Sequence, residues 1–487
     1  MKERLMVGKL RNFIENNEEF HVALLAGLRK TGKTTILKQL QSYYPDSVYI
    51  DLSKSGDGYL EIQERFLEQP SSLLLLDEIT YVDHYEWISQ SLYDDSGNIS
   101  KFKIVITGSS PAHIAKLAYT KLGGGRSKLF RLPLLTFVEY LYFIGKINSY
   151  DEIDDVTNSD FSDYLQLKNL ETSESSNLLW TLNNEYFQSL YIENTISNSN
   201  TYLSPSKTRL KPGDLESLAD LIAYKLSDFC GYLNIIDPKV GGKEQINLSL
   251  VGEKIKLSKV DLSDVFVAVS SKMARTIRAD VKGRILHHLL ESGLACIVYT
   301  DEKVDDPIRE DVDIGFVLDV LKNCTKESEL ITLFERVTMS VVSPLFYTRL
   351  GFDILDRAGV SRQQICASML LGMMLETYLC GAFCSWNNDL ILVSRKLNYP
   401  GTGEVDIFDV NCRLLCESTI DDKKSKNIHV SKYYKSHYLT RVCSSKTKET
   451  FNGDYHQIPY AKLCCMVDTG AVFSLEKTAI FDKLDVF

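Results

Sequence analysis

Residues 27–34 combine glycine, lysine and threonine in the spacing Gly-x-x-x-x-Gly-Lys-Thr. The two glycines let successive backbone N–H groups turn toward an anion, helped by the positive end of the helix that follows. Lys33 adds a charge that reaches the β- and γ-phosphates, and the Thr34 hydroxyl is a ligand for Mg²⁺. The spacing therefore predicts a phosphate-binding loop for ATP and Mg²⁺. The residues predicted to contact the nucleotide are Gly27, Lys30, Thr31, Gly32, Lys33, Thr34 and Thr35.

Two acids, Asp77 and Glu78, follow four leucines in the stretch SSLLLLDEIT. An apolar strand that ends in aspartate places a carboxylate beside the Mg²⁺ that Thr34 would hold. A second acid directly after it can polarise the attacking water, because that end of the strand faces the γ-phosphate. Taken alone, the stretch also fits a buried strand with a solvated acidic end. Its position downstream of the phosphate loop favours the catalytic interpretation.

A polar strand end and an arginine complete the candidate catalytic set. KFKIVITGSS predicts a strand ending in Thr107, whose hydroxyl would lie between the acidic strand and the phosphates and orient water. LGGGRSKLF places Arg126 after three glycines, in a flexible loop that carries one fixed cation. Such an arginine stabilises the charge that develops in phosphoryl transfer, in cis or from a neighbouring subunit. The predicted catalytic residues are thus Glu78, Thr107 and Arg126.

The order of the segments GLRKTGKTT, LLLLDEI, ITGSS, GGGR and LPLLTFVEYL resembles an AAA+-type bacterial and archaeal ATPase family. Its members join the ATPase core to a winged-helix segment and a C-terminal domain with a restriction-endonuclease-like fold. The resemblance covers the first 145 residues, and the run from Pro133 to Glu139 is more family-specific than the phosphate loop. The resemblance implies ATP and Mg²⁺ binding by Lys33, Thr34, Asp77 and Glu78. It also implies Thr107 as the sensor and Arg126 as the arginine of a Gly-Arg motif, and names no biological task.

Apolar runs alternate with helical stretches through the first 135 residues, which predicts a parallel sheet covered by helices on both faces. Ligands of such sheets bind beyond the carboxyl ends of the strands, where the glycine loop, Asp77 and Thr107 all fall. The predicted strands are 21–26, 47–51, 72–77, 103–107 and 128–132.

Composition and charge argue against a generally basic nucleic-acid-binding protein, a secreted protein and a membrane-spanning protein. The chain has 487 residues and a formal charge of −10, so no global basic field recruits nucleic acid and any such contact needs a local patch. Eleven scattered cysteines and the lack of an apolar N-terminal block indicate a cytoplasmic protein with reduced thiols. The apolar segment 367–386 carries Glu376 at its middle, which favours a buried core helix over a membrane span.

The length predicts several domains. We expect an AAA+-type ATPase domain over 1–145 and a polar insertion or lid with mobile loops over 146–215, where Asp, Ser, Asn and Thr dominate. Residues 216–344 are predicted to be mainly helical and winged-helix-like, with 278–292 in the recognition-helix position; a small helical lid bundle fits the periodicity equally well. Residues 345–487 form the predicted restriction-endonuclease-like α/β domain.

The C-terminal segment 401–419 holds a second candidate metal site. Nucleases of the restriction-endonuclease fold place an Asp and a Glu on adjacent strands, where both carboxylates hold Mg²⁺ against the scissile phosphate. Asp406 and Glu417 have suitable spacing, and Glu376 is a candidate third ligand. The lysine expected two residues after the Glu is replaced by Thr419, although Lys423 or Lys424 could substitute from further along. A metal site, an inactive hairpin with solvated acids and, less favoured, an active nuclease all remain open.

Other C-terminal features bear on partners. Segment 423–441 mixes lysines with tyrosines, which suits a nucleic-acid strand but is more typical of a solvated amphipathic face. Two cysteine pairs, 380 with 384 and 412 with 416, lie in apolar runs and favour core packing over zinc. The expected partners are ATP and a DNA or protein partner of the C-terminal half, with no membrane, and a homo-oligomer if Arg126 acts in trans. Three hypotheses follow: an ATPase that rearranges its C-terminal half, a nucleotide-gated regulator with a degenerate nuclease fold, and a metal-dependent nuclease.

Overall fold

The three-dimensional description rests on a computed structural model of the chain. It describes residues 2–17, 20–27, 31–54, 58–62, 64, 72–82, 103–108, 114, 117, 127–133, 135–165, 279–280, 283, 287, 295–298, 314–334, 338–341, 375, 378–379, 381–383, 392–394, 405–409, 414–418, 439–444, 448–452 and 455–474.

A five-stranded parallel sheet occupies the N-terminal part of the chain. Its strands are β1 Val22–Gly27, β2 Val48–Asp51, β3 Leu73–Asp77, β4 Lys103–Thr107 and β5 Ser127–Leu132. Each strand begins and ends within one residue of its predicted range, which confirms the predicted strands. The strands lie in the order β2-β3-β4-β1-β5, so β1, which leads into the glycine loop, lies between β4, which ends in Thr107, and β5.

Successive residues of the central strands point to opposite faces of the sheet and pack into two separate hydrophobic clusters, one on each face. Helices α1 (Leu5–Asn16) and α2 (Lys33–Tyr43) cover one face. On the other face lie the short helix α3 (Gly58–Ile62) and the single turn Ile79–Tyr81. The prediction of a P-loop α/β fold with both faces covered is therefore confirmed for this region.

Helices α4 (Phe137–Phe143) and α5 (Asn158–Leu165) continue the fold beyond the last strand. Phe161 and Tyr164 of α5 are buried, and the Phe161 ring lies edge-on to Phe137 with 5.3 Å between centroids. The Tyr164 hydroxyl donates to the Leu135 carbonyl at 2.7 Å. The polar composition of 146–215 did not predict this packing, because two aromatic side chains on one helix face suffice to bury a helix whose other positions are polar.

The C-terminal part contains a six-stranded mixed sheet. Its strands are β8 Leu392–Ser394, β9 Val405–Asp409, β10 Leu414–Ser418, β11 Leu439–Ser444, β12 Thr450–Asn452 and β13 Tyr455–Pro459. They lie in the order β12-β13-β11-β10-β9-β8 across the sheet. The described residues between α5 and β8 include an antiparallel pair, β6 (Ala295–Val298) with β7 (Thr338–Val341), and the helices α6 (Ile314–Asn323) and α7 (Glu327–Phe334). Helices α8 (Tyr460–Thr469) and α9 (Ala471–Ser474) follow the sheet.

The apolar segment around Glu376 was predicted to be a core helix, and its described residues fit that expectation. Leu375, Tyr378, Leu379 and Phe383 are helical and at most 4% exposed. Among the helices in the described part of the chain, none has both the length and the apolar character that crossing a bilayer requires.

A buried acid on α8, Asp468, gives the fold a predicted pH dependence. Burial raises the pKa of Asp468 to about 7, and the negative charge of Glu139 also raises this pKa. Hydrogen bonds from Tyr378 and the Val138 N–H lower the pKa, as does the positive charge of Lys9. Since this folded-state pKa lies above the unfolded value, the folded chain binds the extra proton between about pH 4 and pH 7, and the stabilisation it brings is lost as pH rises through 7. We expect the unfolding free energy to fall by roughly 2–3 kcal/mol from about pH 5 to about pH 7.5 on account of this residue.

The control for this prediction is Asp468→Asn, whose amide oxygen still accepts both hydrogen bonds but has no proton to lose. Urea denaturation of both proteins across this pH range isolates the effect in the difference between the two curves. His21, whose pKa is lowered first by burial and then by Lys103, contributes equally to both proteins and cancels. If the unfolding free energies of the two proteins change in parallel with pH, the pKa of Asp468 is not raised in the folded chain.

Candidate functional site

Two glycines shape the loop between β1 and α2 for different reasons. A Cβ on Gly27 would lie 2.9 Å from the Leu132 Cβ and 3.0 Å from its carbonyl oxygen, so the close approach of β5 requires glycine. Gly32 has open space around it but a φ of +95°, the left-handed conformation in which other residues are strained. Gly32 immediately precedes α2, so the backbone turns there into the first helical N–H groups.

Lys33 is the first residue of α2 and is 4% exposed. Its Nζ donates to the Gly27 carbonyl oxygen at 2.9 Å, so the ammonium is folded back over the loop it belongs to. An ammonium held there by its own loop lies where β- and γ-phosphates bind in loops of this type. Thr34 and Thr35, in the same helical turn, are half-buried.

Asp77 and Thr107 end neighbouring strands at the edge of the sheet that also carries the glycine loop. In the register of the sheet Leu25 is opposite Thr107 on one side of β4, and Leu76 is opposite Ile106 on the other. β1 and β3 are therefore one strand apart, about 10 Å at the usual strand spacing. The side chains of Asp77 and Thr107 are buried. Neither Asp77 Oδ1 nor Thr107 Oγ1 has a hydrogen-bond partner among the described residues.

Tyr49 on β2 fixes the other oxygen of Asp77. Its hydroxyl donates to Asp77 Oδ2 at 2.9 Å. The pKa of the Tyr49 hydroxyl is raised, first by burial and then by the charge and hydrogen bond of Asp77, so this hydroxyl stays protonated and remains a donor. One carboxylate oxygen is thus oriented by the protein while Oδ1 remains available.

Glu78 has φ 57° and ψ 41°, a left-handed conformation that is the single case of positive φ among the described non-glycine residues. The conformation costs a side chain of this type roughly 1–2 kcal/mol. It ends β3 after Asp77 and begins the turn Ile79–Tyr81. The backbone of Glu78 therefore does not continue the strand, in which successive side chains would point to opposite faces of the sheet. Residues at functional sites often carry such strain.

The donors at this edge fit a Mg²⁺ ion. Hard oxygen donors are what Mg²⁺ prefers, and the ion usually takes only one or two protein ligands together with water and phosphate oxygens. The buried Asp77 Oδ1 is an oxygen of this kind, on the same sheet edge as the helix turn that carries Thr34. Asp77 and Thr34 would hold the ion there.

The remaining predicted residues fall partly outside the described part of the chain. Lys30, Arg126 and Glu376 lie outside the described residues. β9 and β10 pair antiparallel with Cys416 opposite Ile407, so Glu417 and Asp406 occupy the next facing positions on the two strands. No group of three or more His, Cys, Asp or Glu side chains that could hold a metal occurs among the residues the structure describes.

Sequence reasoning missed two contributors to the site. Tyr49 carries no sequence signal, because its role depends on β2 pairing with β3. Arg4 is 5% exposed and donates to the Thr31 carbonyl in the glycine loop at 2.9 Å. Its partner Glu139 could have been found, since Thr136 followed three residues later by Glu is the sequence signature of a capping box.

Tyr49→Phe is expected to raise the Mg²⁺ concentration needed for half-maximal ATP binding by about tenfold, the lower end of the effect of removing a partner that orients a metal ligand. The reason is that Asp77 would lose the hydrogen bond that fixes its carboxylate. Binding titrations at a series of Mg²⁺ concentrations measure the shift.

The matched control for that variant is Tyr44→Phe, which removes a hydroxyl that donates to Glu15 at 2.7 Å on the protein surface. This control should leave the Mg²⁺ dependence unchanged. Equal Mg²⁺ dependence for Tyr49→Phe and the wild type would remove Tyr49 from the site.

Comparison with known proteins supports an AAA-type domain in the N-terminal region. Residues 19–141 match the AAA domain family. An uncharacterized protein of Methanocaldococcus jannaschii is 34% identical over 155 residues, which are 28% of this chain and 31% of that protein. The chain thus spans about a third of the length of the curated relative it matches.

Solved structures with some similarity include a Walker-type ATPase of Pyrococcus abyssi, with 12% identity, a TM-score of 0.31 and coverage of 71% of this chain and 94% of that one. AMPPCP-bound DnaA from Aquifex aeolicus has 13% identity and a TM-score of 0.24, and covers 47% of this chain and 79% of its own. The ADP form of the Aeropyrum pernix ORC2 protein has 12% identity and a TM-score of 0.26, and the match covers 68% of this chain and 93% of that protein. Scores this low add nothing to the description of the fold. The AAA match and the parallel sheet fall in the same N-terminal region and support an AAA-type P-loop domain there.

Proposed function

We propose that the chain binds ATP with Mg²⁺, hydrolyses it, and couples the cycle to rearrangement of a C-terminal half that faces DNA or a protein partner. One observation carries the proposal. At a single sheet edge a buried lysine follows the glycine loop, and two buried oxygens, Asp77 Oδ1 and Thr107 Oγ1, lack partners among the described residues. Buried polar atoms without partners are costly and indicate a ligand that satisfies them.

Each residue has a role in this proposal. Lys33 and the loop N–H groups bind the β- and γ-phosphates, and Thr34 and Asp77 hold Mg²⁺, which neutralises phosphate charge when bound. Glu78 accepts a proton from the attacking water, which Thr107 orients, and the products are ADP and phosphate. Arg126, in cis or from a neighbouring copy in a homo-oligomer, stabilises the developing charge, and Lys30 and Thr35 complete the nucleotide contacts.

In this proposal residues 1–145 form the ATPase domain, 146–215 an insertion or lid, 216–344 a winged-helix-like unit and 345–487 a restriction-endonuclease-like domain. The protein is proposed to be cytoplasmic. Helical residues at 279, 280, 283 and 287 and the strand β6 after them are compatible with the winged-helix assignment. Support for a coupled C-terminal half comes from the hydrogen bonds between α4 and Asp468 and Tyr378.

A salt-dependent DNA-binding titration with and without ATP tests the coupling. If the C-terminal half faces DNA, the logarithm of the binding constant should fall linearly with the logarithm of salt concentration, with a slope set by the phosphate contacts. ATP should change the affinity or the slope. No salt-dependent binding in either state would favour the alternative, a nucleotide-gated regulator whose degenerate nuclease fold binds a protein.

A second candidate activity, metal-dependent cleavage of DNA, rests on the facing positions of Asp406 and Glu417, because opposed residues on adjacent strands share a face of the sheet. Glu376 from the preceding helical segment would be the third ligand. Thr419 in place of the expected lysine argues against cleavage. Cutting with Mg²⁺ or Mn²⁺ that vanishes in Asp406→Ala would establish the nuclease, and no cutting of any substrate removes it.

A further inference from the structure

Arg4 links the glycine loop to the start of α4. It precedes the region that matches the AAA domain and is 5% exposed. Its three nitrogens donate to three different groups: Nε to Glu139 Oε1 at 2.7 Å, Nη1 to the Thr31 carbonyl at 2.9 Å and Nη2 to the Pro133 carbonyl at 3.0 Å. A planar guanidinium that uses all its nitrogens fixes the relative positions of its partners.

The bond to Thr31 bears on phosphate binding through the geometry of the peptide unit. The Thr31 carbonyl and the Gly32 N–H belong to one planar peptide. When Arg4 holds the carbonyl, it also sets the direction of the Gly32 N–H, which lies in the turn just before α2. Backbone N–H groups at this position are the donors that a phosphate loop directs at its ligand.

Glu139 holds the N-terminal ends of two helices at once. Its Oε1 accepts from the Leu5 N–H at 2.9 Å at the start of α1, and its Oε2 accepts from the Thr136 N–H at 3.0 Å at the start of α4. Burial alone would raise the pKa of Glu139, but the Arg4 guanidinium and these N–H groups hold that pKa below its usual value. The carboxylate therefore stays charged, and α1, α4 and Arg4 are held together.

The C-terminal part of the chain holds the remaining N–H groups of the same helix start. The Phe137 N–H donates to the Tyr378 hydroxyl at 2.6 Å, and the Val138 N–H donates to Asp468 Oδ2 at 3.0 Å. Tyr378 in turn donates to Asp468 Oδ2 at 2.6 Å. The Glu139 N–H donates to Thr136 Oγ1, so every backbone donor from 136 to 139 has a side-chain acceptor.

The first turn of α4 thus has no spare donors, and its acceptors come from two directions. One set, Arg4 with Glu139, leads to the glycine loop, and the other, Tyr378 with Asp468, leads to α8. All four of these side chains are at most 5% exposed, so water cannot replace a lost partner without local opening. A displacement of α8 must therefore move α4 or leave buried donors unpaired.

We infer that α4 is the coupling element between the two halves of the chain: the Tyr378–Asp468 contact with its first turn sets, through Glu139 and Arg4, the conformation of the glycine loop at Thr31 and Gly32. The C-terminal half would then control nucleotide affinity, and nucleotide would act back on α8 by the same free energy. That consequence rests on the proposed ATP binding, whereas the link itself consists of protein groups alone.

The direct test is hydrogen exchange of the nucleotide-free full chain carrying Tyr378→Phe, which removes one acceptor of the α4 turn and the donor to Asp468. Peptides that cover 137–143 should exchange faster, and so should those that cover 31–36, by about fivefold or more, the lower end of typical coupling between sites. Asp468→Ala, which removes the acceptor of the Val138 N–H and of the Tyr378 hydroxyl, is the second variant if the first does not fold, and should have the same effect.

The matched control is Tyr460→Phe, the same change on α8. It removes a hydroxyl that donates to the Asn158 carbonyl, at the start of α5, at 2.9 Å. It should leave exchange at 31–36 unchanged. Faster exchange at 137–143 in Tyr378→Phe with no change at 31–36 would overturn the inference, as would equal effects of the two variants on 31–36.

Nucleotide affinity separates this inference from the proposed function. Arg4→Lys keeps a charge beside Glu139 but loses the fork that holds the two carbonyls, and is expected to weaken Mg-ATP binding by about fivefold or more. Combined with Tyr378→Phe it should weaken binding by less than the product of the two single effects, because both act on one link. If the wild type binds no ATP while Tyr378→Phe still loosens 31–36, the link stands and the proposed function fails.

Discussion

Lys33→Ala is expected to weaken Mg-ATP binding by at least about 100-fold, since a charge-assisted hydrogen bond is worth roughly 1.5–3 kcal/mol and this ammonium reaches two phosphates. Lys33 is buried and donates to the Gly27 carbonyl, so the loop itself positions the ammonium. Equilibrium binding of labelled ATP measures the loss.

The control for this variant is Lys38→Ala on the same helix. Lys38 is exposed, so its removal changes the net charge of the protein equally without touching the loop. Lys38→Ala should bind ATP as the wild type does. Comparable affinities for Lys33→Ala and Lys38→Ala would mean that the glycine loop binds no phosphate.

Glu78→Gln is expected to keep ATP binding and to lower the rate of hydrolysis by about 10²–10⁴-fold, the usual contribution of a general base. Glutamine has the same shape and can occupy the same left-handed conformation at φ 57°, so the change removes the base and leaves the backbone turn after Asp77 in place. Single-turnover hydrolysis with ATP bound separates the chemical step from binding.

Glu15→Gln serves as the control here, because Glu15 lies on the exposed side of α1, pairs weakly with Arg11 at 3.7 Å, and as glutamine can still accept the hydrogen bond from Tyr44. It should hydrolyse ATP at the wild-type rate. Undiminished turnover in Glu78→Gln would assign the base to another residue.

The sequence was sufficient to predict the N-terminal sheet and the ends of its strands, because its signals are local. Four leucines before Asp77 and the apolar run before Thr107 each predict a buried strand with a polar end, and parallel strands bring those ends to one edge. The glycine positions follow from spacing alone, and the structure adds the reasons: a close approach at Gly27 and a positive φ at Gly32.

The rest depended on contacts between distant parts of the chain. Val138 and Asp468 are 330 residues apart, and a single sequence holds no signal that pairs them. Arg4 is one arginine near a polar N-terminus, and its burial follows from contacts with Glu139, Thr31 and Pro133, which lie 27 to 135 residues further along the chain. Phe161 and Tyr164 are buried in a stretch whose composition is polar, since composition averages over positions and packing selects one face of the helix.

Calorimetric titration of the purified chain with ATP in the presence of Mg²⁺ measures whether the glycine loop and the adjacent sheet edge bind the nucleotide. One saturable binding event is expected, which weakens when Mg²⁺ is chelated and disappears in Lys33→Ala. No heat of binding in the wild type, or the same heat in Lys33→Ala, would mean that this site does not bind ATP.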